Sequence, residues 1–113
     1  MTGDQAIKAL PRTIRIAGLN FKIEKWARDS AESAGRYGEC AMMLLTLRIG
    51  GNNKSGARVF DTLHHEINHA VWSLYNIKEG DNEERMIGTL ASAWTQIFCD
   101  NPWLAKWIGK ALA

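Results

Sequence analysis

Apolar positions along this chain change period once, and the change divides it in two. Ile14 and Ile16, then Leu19, Phe21 and Ile23, then Leu45, Leu47 and Ile49 recur at every second residue. A period of two puts one set of side chains on one face of a pleated strand. The spacing predicts a pair of strands on either side of Ala17-Gly18, joined there by a tight turn, and further strands over residues 37–40 and 44–49. Residues 27–35 are small and polar without periodicity and read as a loop. Residues 2–10 read as a short helical turn or loose chain ahead of Pro11, and residues 50–56 as a flexible connection.

Beyond residue 56 the period lengthens. Leu63, Ile67, Ala70, Val71 and Leu74 form the stripe of an amphipathic helix, expected over residues 58–75 and ended near Gly80. Asp81 and Glu84 have the spacing of a capping box, opening a second helix with apolar positions Ile87, Leu90, Ala91, Trp94, Ile97 and Phe98. Asp100-Asn101-Pro102 introduces a third, with Trp103, Leu104, Trp107 and Ile108 on one face. Strands followed by helices define an α+β class: a small N-terminal sheet packed on three C-terminal helices, with residues 1–113 forming one domain.

Composition narrows this only modestly. Hydrophobic residues make up 46% and charged residues 23%, as in ordinary globular proteins. The net charge is +2, and the lysines and arginines are scattered rather than massed. That balance neither demands nor excludes nucleic acid, which is not the expected partner. No apolar run reaches transmembrane length and residues 1–10 lack a secretion-signal layout, so the expected setting is the cytoplasm, away from membranes. The two cysteines, Cys40 and Cys99, read as reduced, buried thiols. Of the five tryptophans, Trp72, Trp94, Trp103 and Trp107 fall in the helical half, where a place in the core is expected.

The chemistry concentrates in His65-Glu66-Ile67-Asn68-His69, a His-Glu-x-x-His motif on the central helix of the outline. Residues four apart on a helix lie one turn above each other, so two imidazoles can converge on one metal ion. The adjacent Glu66 can then act as general base on a water. The apolar stripe faces away from both histidines, which frees them to face a cleft. The competing account is a pair of surface histidines flanking a glutamate.

Two histidines do not complete a catalytic zinc site, which normally takes three protein ligands. No histidine follows His69. A helix hairpin would bring the start of the second helix beside the first, making Glu84 the favoured third ligand and Glu83 its alternate. Gly88 and Ala91 keep the Glu84 face small.

The motif, with a glutamate on the following helix, resembles the gluzincin group of zinc metallopeptidases, and the small size its minimal members, the minigluzincins. The order Tyr37-Gly-Glu-Cys40, Leu63 to Ala70, Glu83-Glu-Arg85 and Asp100-Asn-Pro102 is similar to small metallopeptidase-like proteins of phages and prophages, over about residues 14–108. The resemblance implies zinc on His65, His69 and a helix glutamate, Glu66 as base, and peptide or protein as substrate. It departs from the large gluzincins in lacking a second lobe.

Tyr37, His64, Tyr75 and Arg85 are the candidates for stabilising an oxyanion or supporting the ligands. His64 sits about 100° round the helix from His65, better placed to support than to ligate. The 44–49 strand is expected to offer an edge for a peptide. The alternative function is a non-catalytic, zinc-stabilised phage interaction or regulatory module. The sequence leaves oligomeric state open.

Overall fold

A computed structural model describes residues 1–113. Its elements are α1 (Gly3–Lys8), β1 (Thr13–Ile16), β2 (Leu19–Trp26), α2 (Arg28–Ala34), β3 (Gly38–Ala41), a 3-10 turn (Met42–Leu44), β4 (Thr46–Gly50), α3 (Gly56–Leu74), α4 (Glu83–Asp100) and α5 (Trp103–Leu112). The α+β class holds: one four-stranded sheet, in the order β1-β2-β4-β3, is combined with helices.

β1 and β2 form an antiparallel hairpin in which Ile16 pairs with Leu19. The intervening Ala17 and Gly18 both have positive φ, 50° and 78°, the geometry that lets a two-residue turn follow the twist of its strands. β2 pairs parallel with β4, and β4 antiparallel with β3. The inward side chains Ile14, Ile16, Phe21, Leu47 and Ile49 are buried. They share one cluster with Val59, Leu63, Ile67, Ala70 and Val71 of α3, Leu104 and Trp107 of α5, and Ala6 and Ile7 of α1. Each fully buried aliphatic side chain contributes about 1.5–3 kcal/mol to this assembly.

α3 packs against α1, α5, β1, β3 and β4. Ser55 caps it by accepting from the Arg58 N–H at 3.2 Å. The segment ahead of it is pinned, contrary to the flexible connection expected from its glycines. Asn53 is buried, donates to the Tyr37 and Gly50 carbonyls at 3.0 and 2.8 Å, and accepts from the Thr62 hydroxyl at 2.8 Å. This one side chain ties α3 to the ends of β3 and β4.

Five other expectations need correction. Residues 28–34 are helical rather than loop, held by an Arg28–Glu32 pair one turn apart and ended by Gly35 in the left-handed region. Only Ala31 of that helix is buried, so no apolar stripe announces it. The 44–49 strand, β4, is an interior strand, bonded on both sides, and β1 and β3 are the edges; alternation tells which face is buried but not which neighbours a strand has. Asn82, not an Asp81–Glu84 box, caps α4 by accepting from the Arg85 N–H, while Asp81 takes the Lys78 N–H and the Arg85 guanidinium. Among the tryptophans Trp107 is buried, Trp94 and Trp103 are half-buried and Trp72 is exposed; among the thiols Cys40 is half-buried and Cys99 exposed, both free.

Candidate metal centre

The motif occupies the middle of α3. Its helix phase sends Leu63, Ile67, Ala70 and Val71 into the core and turns His65 and His69 outward. The two Nε2 atoms lie 3.1 Å apart, with ring centroids separated by 4.8 Å and planes at 72°. Two nitrogens each roughly 2.0–2.1 Å from a shared ion at a tetrahedral angle would be about 3.3 Å apart, so the pair fits a metal. Glu66 offers a carboxylate oxygen within the same group: the three ligand atoms lie within 4.8 Å of one another.

Glu66 is 6% exposed. Burial raises its pKa above the ordinary carboxylate value, while His65, His69 and Arg36 draw it back and Glu39 adds to the rise. Its position depends on Gly38 in β3. A Cβ built on Gly38 would lie 2.5 Å from Thr62 Cγ2, 2.9 Å from the Arg48 carbonyl and 3.1 Å from Glu66 Oε2. β3 approaches α3 this closely only because residue 38 has no side chain.

The group opens into a cleft of about 660 Å³ between β3 and α3, lined by Arg36, Tyr37, Glu39, Cys40, Met42, Arg58, Asp61 and Thr62 besides the motif residues. A second hollow of about 330 Å³ lies beside His65 and His69, bordered by Asn68 and Trp72. The imidazoles therefore stand on a ridge between two depressions.

The other predicted site residues are dispersed. Tyr37 lines the cleft, with the Arg58 guanidinium 5.0 Å over its ring. His64 points elsewhere, stacked on Phe60 at 5.5 Å and edge-on to Trp94 at 5.0 Å. Tyr75 is the C-cap of α3, half-buried against the core, and Arg85 is bound to Asp81; neither lines the cleft. Glu83 and Glu84 are exposed in the first turn of α4, outside the three-residue group. α4 meets the site helix through Trp94, whose indole N–H donates to Asn68 at 3.0 Å. Glu84 precedes Trp94 by ten residues, about 15 Å along a helix.

Sequence reasoning missed Arg36, Arg58, Glu39, Cys40, Asp61 and Thr62 as cleft residues. The signal within reach was phase: Arg58, Asp61 and Thr62 lie seven, four and three residues before His65, on its face of the helix. Burial, Glu66 and Glu39 push the Cys40 thiol up to about 11.

Comparison with known proteins returned no matching family model, no matching curated protein and no matching solved structure. No helix of the protein is long and apolar enough to cross a membrane.

Proposed function

We propose that this chain is a zinc-dependent metallopeptidase of gluzincin type, similar to those of phages and prophages and acting in the cytoplasm. The observation that carries the reading is the 3.1 Å approach of the His65 and His69 nitrogens beside a buried Glu66 at the wall of a cleft. His65 and His69 would hold the ion. Bound there, zinc supplies Lewis acidity, which acidifies water and polarises a peptide carbonyl.

Glu66 is the general base. A raised pKa fits a carboxylate that takes a proton from water and returns it to the departing amine. Tyr37 is the oxyanion donor of choice, since of the four sequence candidates it alone lines the cleft. The peptide lies along the outer edge of β3, which has a sheet partner on one side only, as an added strand.

Glu84 remains the proposed third ligand, with Glu83 the alternate. Reaching the histidines requires the first turns of α4 to move. Their shallow packing supports this: α4 fully buries only Ala93 and Ile97, both in its second half.

One observation favours a different reading. Glu66 belongs to the same close group as the two histidines. If it serves as the third ligand, no base remains and the site is that of a metal-stabilised interaction module. The Glu66→Gln variant separates the two. In a peptidase it retains zinc, measured by elemental analysis, and loses about 10²–10⁴-fold in casein or peptide cleavage. In a structural module it loses zinc and thermal stability together.

A further inference from the structure

We infer that Arg36 makes the cleft selective for peptides carrying a carboxylate beside the bond to be cleaved, an assignment that rests on the peptidase reading above. Arg36 lines the cleft with His65, Glu66 and His69, and its side chain makes no ion pair or hydrogen bond within the protein. The other charged groups on the walls are already engaged. Glu39 holds Arg48 at 2.8 Å, and Arg58 sits over the Tyr37 ring while pairing with Asp61 at 3.7 Å. The cleft therefore presents one free guanidinium.

Its backbone is fixed, so the point from which the exposed side chain extends toward the cleft is set. Gly35 ends α2 at φ 67°, the Arg36 N–H donates to the Ala31 carbonyl at 3.0 Å, and the Arg36 carbonyl accepts from Asn52 at 3.0 Å. The next residue, Tyr37, is held through its own carbonyl by Asn53. A guanidinium extending from this fixed point can form the parallel, two-point bond that matches a carboxylate. It shares the cleft lining with His65, Glu66 and His69, which puts it on the same depression as the proposed reacting bond.

The carboxylate has two sources, an acidic side chain or a peptide C-terminus, and matched peptides tell them apart. Binding is measured by titration calorimetry on zinc-loaded Glu66→Gln protein, in which turnover of the peptides is slowed about 10²–10⁴-fold. One pair, blocked at both ends, differs by Glu against Gln; the other differs by a free acid against an amide at its terminus. We expect the acidic member of one pair to bind at least about tenfold tighter than its neutral counterpart, the range of charge-assisted bonds. Arg36→Ala abolishes that difference and Arg36→Lys keeps part of it, and the pair that responds names the source. Equal binding within both pairs, or a preference that survives Arg36→Ala, overturns the inference and leaves the peptidase reading standing. If the zinc-loaded protein binds none of the four peptides, the peptidase reading fails and takes the inference with it.

Discussion

Two regions of the fold carry the proposed ligands, and they are built differently. The region of β3 and α3 is locked: Gly38 admits close contact, Asn53 ties three groups together, and Ile67 on the reverse of the motif is buried to within 1%. The first half of α4 is seated more shallowly, with Ile87 54% exposed, only Met86 and Leu90 partly packed on the core, and its cap made by a local Asn82 side chain. The groups that must hold a fixed geometry sit in the locked region. The acids proposed to close around an ion sit in the shallower one. Such a division lets the pair of nitrogens be set in advance while loading and release stay possible.

The comparison can be broken most directly by truncating one side chain in each region. Ile67→Ala should lower unfolding free energy by about 2–5 kcal/mol in urea titrations. Ile87→Ala should change it by less than about 0.5 kcal/mol. Equal losses would mean that α4 is as firmly seated as α3.

A smaller effect is expected at the contact between strand and helix. Gly38→Ala should destabilise by roughly 1–3 kcal/mol, because its Cβ meets Thr62 and the Arg48 carbonyl rather than open space. It should also displace Glu66, so cleavage should fall more than zinc content does. A variant as stable and active as the wild type would show that β3 has room to retreat.

The two thiols give the gentlest probe. Cys99, exposed on α4, should react promptly with iodoacetamide at pH 8, and Cys40 slowly. With its pKa at about 11, the Cys40 rate should keep climbing with pH well past the usual thiol range near pH 8.5. The sign for stability follows. A folded-state value above the unfolded one gives a contribution present below the ordinary thiol pKa and lost as pH rises through 11. Peptide mapping of labelled protein checks both thiols.

Much of this architecture can be read from residue order. The hairpin at Ala17-Gly18 and the helix bearing His65 and His69 follow from periodicities of two and 3.6, which act over a few neighbouring residues. α2 could not be read, since a helix that buries only Ala31 leaves no stripe. Nor could the interior place of β4, which depends on where β3 docks after the chain has turned back. The convergence of His65, Glu66 and His69 is local and was legible. Arg36 joins their cleft only through the fold, and nothing in its neighbours along the chain points to that.

The strand order carries a consequence for synthesis. β3 leaves the ribosome before β4 yet has no sheet partner until β4 inserts between it and β2. A nascent chain stopped short of Thr46 would hold only the β1–β2 hairpin, which is marginal alone, and one orphaned strand. The sheet surface that receives the motif helix is thus incomplete until β4 has been made, and the helix itself follows directly after that strand.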